Sequence, residues 1–493
     1  MQAQDQIDER RRSIGTTRLF LLSFGYVGVR FLLSPLRTRL LTEIMSKELY
    51  GSLTLAVMTL TFIASFSSLG GFEFLVRRLP GQPVTEQAAW LHLLMSRLAL
   101  PGWLLAGGIA LGCRLTGYFQ GVTWGDLALL WVGLGCTSWL LYRVFFFLGC
   151  GDLIRVRCIQ LAQNDLWFIA IAVTGFWVAL SFTLSLIVWV AWLGVTVIGV
   201  RLFSPSPRPK AKPAGLLKEV FRFGLPLLPM ICSDILFRLA DRYIILLYLN
   251  LKVVADYTLC MNVAMMVYVV GASLMDLSLP ALYAAVNRKS DSSLPEPTEE
   301  TQRCFSVMMR HIAGIGLIAG LALMIFYQDI FRIVSGAAFR NAAVLLPWMA
   351  FIPLIFLLTL GVSRALLALN RTRLVGGATL AAAVTNIVLN FLTVPRWGAI
   401  GAALSTLLSM AILTGVLAWI LGCRRWLRRD ELRPLSILCA SVLCGAGFLA
   451  IAGCLETWGP WARLGTGSVL VGFAFWAFRI FRPGDLREMS PRG

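Results

Sequence analysis

Residues Ser181–Phe203 read SFTLSLIVWVAWLGVTVIGVRLF, and Pro205–Pro213 read PSPRPKAKP immediately after. The first stretch carries a single charged side chain, Arg201, close to its end. A helix of roughly 20 apolar residues crosses the hydrocarbon core of a bilayer. A membrane strand would alternate apolar with polar side chains, whereas Val188-Trp189-Val190-Ala191-Trp192-Leu193 is apolar without a break. A helix is therefore the conformation that satisfies this backbone inside lipid. The second stretch cannot prolong it, because each proline lacks an N–H and fixes φ, so it reads as a Pro- and Lys-rich connector. Together the two stretches describe a membrane helix that stops at a boundary.

The same pattern recurs along all 493 residues, 58% of them hydrophobic and only 14% charged, with a mean hydropathy of +0.77. A water-soluble surface needs about twice that charged share. The expectation is an all-α integral membrane protein of about fourteen transmembrane helices. The spans fall at 17–38, 49–70, 89–113, 123–149, 159–178, 181–203, 217–240, 257–283, 305–327, 341–363, 374–394, 398–422, 434–454 and 461–481. Arg10, Arg11 and Arg12 precede the first span with no small-residue cleavage site after it, so that span is expected to be retained.

The net charge of +19 raises the question of nucleic acid. The basic residues, however, stand in short clusters between spans: Arg77 and Arg78, Arg155 and Arg157, Arg201 to Lys218, Arg288 and Lys289, Arg371 and Arg373, Arg424 to Arg433. That placement is expected to set topology, with both termini in the cytoplasm, and speaks against a nucleic-acid partner. Eleven cysteines show no paired spacing, and two histidines, His92 and His311, lie in different spans, so neither a disulfide framework nor a metal site is expected. No P-loop, nucleophile elbow or long carboxylate-bearing external loop is present, which speaks against an enzyme.

The connector divides the chain into 1–203, an N-terminal six-helix bundle, and 217–424, a C-terminal one, joined by 204–216. Residues 425–493 form an extra helix pair and tail. Each half opens on an unusually polar helix, with Arg30, Arg37 and Arg39 in the first and Asp234, Arg238, Asp241 and Arg242 in the second. A tyrosine follows near the start of each second helix, in Tyr50-Gly51 and Asp256-Tyr257. Two homologous bundles with a substrate path between them fit this pattern. Pro226, Pro229, Pro347 and Pro353 in or near spans are expected to bend them.

Three segments carry a family resemblance. Phe223-Gly224-Leu225-Pro226-Leu227-Leu228-Pro229 with Ala240-Asp241-Arg242-Tyr243-Ile244 is one; Thr385-Asn386-Ile387-Val388-Leu389-Asn390 with Val394-Pro395-Arg396-Trp397-Gly398-Ala399-Ile400-Gly401 is another; Tyr50-Gly51 with Leu69-Gly70-Gly71-Phe72-Glu73 is the third. They resemble the Wzx-type flippases of the multidrug/oligosaccharidyl-lipid/polysaccharide (MOP) superfamily, over about residues 15 to 425. The resemblance implies a MATE/MOP-like V-shaped pair of bundles and alternating access. It also implies an undecaprenyl-pyrophosphate-linked oligosaccharide as substrate, for O-antigen, capsule or exopolysaccharide synthesis. A polysaccharide polymerase and a chain-length regulator would stand beside it, in contact with membrane lipid.

Charges inside hydrocarbon are costly, so they mark cavities or partners. Arg30, Arg97, Arg238 and Arg242 are the candidate cavity cations for a pyrophosphate, since a guanidinium offers planar, permanently charged donors. For Arg97 snorkelling to a headgroup competes with that role. Asp234, Asp241 and Asp276 are the candidates for gating or for a coupling ion, proton or sodium, with no other cofactor expected. A structural salt-bridge ladder is the rival reading for helix seven. Asp126, Asp165, Arg310 and His311 are further charges within spans. Asn386 and Asn390, four residues apart, share a helix face suited to interhelical hydrogen bonds. Other transport substrates remain open: a cationic drug would prefer an acidic cavity, and a lipid II flippase would share the carrier lipid.

Overall fold

The computed structural model describes residues 25–79, 84–115, 122–203, 220–222, 224, 228–287, 299–368 and 371–423. Every regular element among them is a helix. The chain divides into two compact units, Met1–Leu239 and Ala240–Gly493. The connector 204–216, the start of the first span and the expected final helix pair lie outside the described residues, so the sequence-based domain boundaries fall there too.

The first unit contains α1 (residues 25–44), α2 (Lys47–Ser67), α3 (Gly71–Arg78), α4 (Val84–Leu94), α5 (Leu100–Leu115), α6 (Trp124–Gly149), α7 (Leu153–Gln160), α8 (Trp167–Trp177) and α9 (Phe182–Phe203). α6 packs against α2, α3, α5, α7 and α9 and so forms the centre of this unit. Local chemistry sets the helix starts. Ser46 accepts a hydrogen bond from the Leu49 N–H at 3.3 Å to open α2. Thr123 and Asp126 form a reciprocal capping box that opens α6. Asp126, one of the charges read as intramembrane, is thereby a helix cap. Gly70, at φ 80°, turns the chain from α2 into α3, a conformation that a side chain would strain.

Two π-helical turns interrupt otherwise continuous helices: Met95–Ala99 joins α4 to α5, and Leu161–Asp165 joins α7 to α8. α7, the π-turn and α8 follow one another through the bend at Leu166, across the stretch that holds the span expected at 159–178. α5 and α6 are clasped by two tryptophans. Trp103 and Trp131 stack at 4.3 Å, and each indole N–H donates to the other's carbonyl, at 2.7 and 3.0 Å. Each ring lies over a glycine of the opposite helix, Gly135 and Gly107, which explains two small residues at those sites.

The second unit begins within α10 (Leu228–Tyr248) and continues through α11 (Leu251–Asn287), α12 (Glu299–Ile325), α13 (Tyr327–Val334), a 3-10 turn (Ala337–Leu345), α14 (Leu346–Met349), α15 (Ile352–Ala368) and α16 (Thr372–Cys423). α15 packs on α11, α12 and α16, where Met275, Ile312 and Leu357 form a buried apolar cluster. The Pro347 and Pro353 region holds the expected bend, with Ala337–Met349 and Ile352–Leu367 meeting at 44°.

α16 is 52 residues long. Straight, it would extend ~78 Å, well over twice a hydrocarbon core. Gly398, at φ 59° and ψ −138°, breaks it just after Pro395, and the two arms fold back on each other. Asn386 and Thr406, 20 residues apart, are 3.3 Å from one another, where a straight helix would separate them by ~30 Å. Thr393 likewise donates to the Gly401 carbonyl at 3.0 Å. The spans expected at 374–394 and 398–422 are therefore the two arms of α16. Seven described helices are long and apolar enough to cross a membrane, or eight with the bent pair, α16 being counted once.

Candidate functional site

Among the described residues, each unit holds a buried polar cluster that includes its first helix, α1 or α10. In the first unit the cluster forms around Asp165, the last residue of the π-turn and only 2% exposed. A π-turn releases backbone carbonyls from their usual helical partners. Side chains take them here: Trp192 of α9 donates to the Ala162 carbonyl at 2.8 Å, and Trp167 and Arg37 donate to that of Asn164 at 3.1 and 2.9 Å. These bonds hold Asp165 facing α1.

Arg30 meets Asp165 through Nε, at 3.3 Å to one carboxylate oxygen and 3.1 Å to the other. Arg37 approaches the same carboxylate to 3.5 Å. Arg157 of α7 lies 4.9 Å over the ring of Tyr26 and donates through Nη1 to Gln160 Oε1 at 3.1 Å. Two guanidiniums thus share one carboxylate, and a third stands over the neighbouring Tyr26 ring. Tyr50, at the start of α2, is buried and acts electrostatically on Arg37.

In the second unit the cluster forms around Asp241, which is fully buried. Its carboxylate accepts from Tyr257 Oη at 2.6 Å, Thr406 Oγ1 at 2.7 Å and Asn390 Nδ2 at 2.7 Å. Asn390 Nδ2 also donates to Asn386 Oδ1 at 3.1 Å. These contacts run from α10 to α11 and to both arms of α16. Asn390 Oδ1 is buried without a hydrogen-bond partner among the described residues. Arg242, 3% exposed, donates through Nε to Thr258 Oγ1 at 3.1 Å and lies 5.6 Å over the Tyr257 ring.

Of the residues expected to bind an anion, Arg30 is in the Asp165 cluster, and Arg242 is packed inside the second unit on Thr258 and Tyr257. Arg97 is exposed on the π-turn Met95–Ala99, and Arg238 is exposed on α10. Asp241 is the centre of the second cluster, whereas the side chains of Asp234, Asp276 and His311 lie outside the described residues. Asn386 and Asn390 do make interhelical hydrogen bonds, and a buried carboxylate is their focus. Sequence reading left Thr406 without a role and took Arg157 only as one of the basic residues that set topology. The signal for Thr406 was its place beside Ser405 and Ser409, three of the four hydroxyl residues in an otherwise apolar arm.

No family model matches the chain. Its fold is similar to that of a lipid II flippase, MurJ, in an inward closed conformation, at a TM-score of 0.68 over 93% of this chain and 98% of that one, with 13% identity. It is also similar to an inward-facing multidrug-resistance MATE transporter of the MOP superfamily, at a TM-score of 0.62 over 82% of this chain and 98% of that one, with 12% identity. The chain shares the fold of these two structures. In addition, 118 residues are 31% identical to a probable low-salt glycan biosynthesis flippase, Agl15, of Haloferax volcanii. That match spans 23% of this chain and a quarter of the length of its relative.

Proposed function

We propose that this chain is a flippase that moves undecaprenyl-pyrophosphate-linked oligosaccharide repeat units from the cytoplasmic to the periplasmic leaflet by alternating access. The observation that carries the reading is the pairing of two guanidiniums, Arg30 and Arg37, with the single buried carboxylate of Asp165, and a third, Arg157, close by over the Tyr26 ring. A surplus of guanidinium there suits a phosphate-bearing anion and repels the cationic drugs that a multidrug exporter carries. The partial match to a glycan biosynthesis flippase points the same way. In this reading the protein sits in a bacterial inner membrane with both termini in the cytoplasm, and its product feeds a polymerase and a chain-length regulator.

The coupling ion, proton or sodium, is assigned to the Asp241 cluster. A buried carboxylate beside an orphaned buried acceptor, Asn390 Oδ1, is a donor set that a small cation would complete. A second reading, transport of lipid II, draws on the likeness to the lipid II flippase. Both substrates present a pyrophosphate, so the arginine cluster serves either.

Deletion of the gene tests the proposal. The expected result is loss of a surface polysaccharide with lipid-linked repeat units accumulating on the cytoplasmic side, rescued by the wild-type chain and not by Arg30→Ala. Arrest of cell-wall synthesis in its place would favour lipid II. Intact polysaccharide with changed sensitivity to cationic dyes would overturn the flippase reading.

A further inference from the structure

The Asp165 cluster is built asymmetrically. Arg37 is tied twice, to the Asn164 carbonyl at 2.9 Å and to the Asp165 carboxylate at 3.5 Å. Arg30 meets the carboxylate through Nε and also hydrogen-bonds Tyr26, and its side chain keeps 32% of its surface exposed while Asp165 is sealed. An anion arriving from outside can therefore reach Arg30 and cannot reach the carboxylate. Were Arg30 to swing away, Asp165 would still hold Arg37, so no buried charge would be stranded. Stranding is what normally makes breaking such a pair expensive. Arg157 stands on α7, over the Tyr26 ring that Arg30 also contacts, and adds a further positive charge beside the site.

We propose that Asp165 is an internal stand-in for the substrate's pyrophosphate: it occupies Arg30 while the site is empty and yields it to the pyrophosphate on binding. The inference rests on the flippase reading and adds to it how affinity is regulated. A pyrophosphate outcompetes the carboxylate because it carries more charge and offers more acceptor oxygens to planar, multidentate donors. The competing carboxylate in turn weakens apparent affinity by the fraction of time that Arg30 is engaged. A carrier needs that weakening, since a headgroup bound too tightly on one side does not leave on the other.

The test titrates farnesyl pyrophosphate into the purified full-length protein in detergent, for wild type, Asp165→Asn, Arg30→Gln and the double variant. Asp165→Asn is expected to bind about tenfold more tightly than wild type, and Arg30→Gln about tenfold more weakly. The double variant is expected to match Arg30→Gln, because Arg30 is the cation that Asp165 gives up while Arg37 stays tied to the Asn164 carbonyl. Binding by Asp165→Asn that is unchanged or weaker than wild type, alongside measurable wild-type binding, would overturn the exchange and leave the anion site standing. Absence of binding in every variant would overturn both. Thermal melting reports whether Asp165→Asn folds. If it does not, Asp165→Ser, which keeps a hydroxyl toward Arg37, carries the same expectation. A response to phosphatidylglycerol equal to that of farnesyl pyrophosphate would assign the exchange to bulk lipid headgroups and overturn it for the pyrophosphate carrier.

Discussion

Replacing Asp241 with alanine removes the common acceptor of three buried donors, the hydroxyls of Tyr257 and Thr406 and the amide of Asn390. Within a membrane bundle an interhelical hydrogen bond contributes about 0.6 kcal/mol on average, because a loosened chain in lipid finds other partners. Three such bonds give a lower bound of about 2 kcal/mol. Stranding a buried donor in a tightly packed site costs about 1–3 kcal/mol, and the adjacent Arg242 also loses the compensating charge beside it. Because the three donors share one network their costs do not add in full, and the expected loss is about 2–5 kcal/mol. Asp241→Asn keeps the shape and one acceptor oxygen, so its loss should be about half as large. The assay is thermal or SDS-induced unfolding of the purified protein in detergent, followed in parallel for wild type and the two variants. An alanine variant as stable as wild type would refute the reasoning. Equal losses for alanine and asparagine would refute the part that depends on acceptor geometry.

Two further outcomes follow from single positions. Gly398→Ala places a side chain on a backbone at φ 59° and ψ −138°, a region essentially restricted to glycine. It should cost about 1–3 kcal/mol in the same unfolding assay, whereas Gly415→Ala, in an open helical position of the same arm, should be neutral or better. Cys150 lies in the turn after α6, where its Sγ donates to Gln87 Oε1 at 3.2 Å. Burial and the neighbouring Asp152 push its pKa up to about 11. A raised pKa lowers the thiolate fraction, so maleimide labelling of a variant with only this cysteine should run about 100-fold slower at pH 8 than an unperturbed thiol. The rate should climb about tenfold per pH unit until it levels near pH 11, and a plateau near pH 9 would contradict that placement.

Much of the fold is legible in the sequence, and the reason is physical. A bilayer demands a fixed length of apolar helix, so uninterrupted runs such as Val188–Leu193 identify spans without help from packing. Pro395 and Gly398 likewise announce the reversal in α16, because one lacks a donor and the other adopts a conformation closed to other residues. The π-turns are not legible. One additional residue per turn leaves the apolar character of Leu161–Ala162 and Leu98–Ala99 unchanged, so the pattern carries no sign of either turn.

The site was legible only in its charges. Arg30, Asp165 and Asp241 stand out because ions are rare at such depth, but the partners of each lie on helices far away in sequence. Arg30 and Asp165 are separated by 135 residues, and Asp241 and Thr406 by 165. Spacing along one helix cannot reveal such pairs. It suggested a ladder of Asp234, Arg238 and Asp241 on α10, whereas Asp241 turns to α11 and α16.

Set side by side, the two clusters resolve one problem with opposite chemistry. In each unit a buried charge links the first helix to the fifth, with a buried tyrosine at the start of the second helix beside it, Tyr50 or Tyr257. In the first unit the first helix supplies the cations and the fifth the acid, and guanidiniums outnumber carboxylates. In the second the first helix supplies the acid, and the fifth, which is the leading arm of α16, supplies neutral amides with one oxygen unsatisfied. A surplus of donors selects an anion and a surplus of acceptors selects a cation. Substitutions that swap these surpluses, rather than those that delete a single bond, are therefore the ones that separate headgroup recognition from ion coupling.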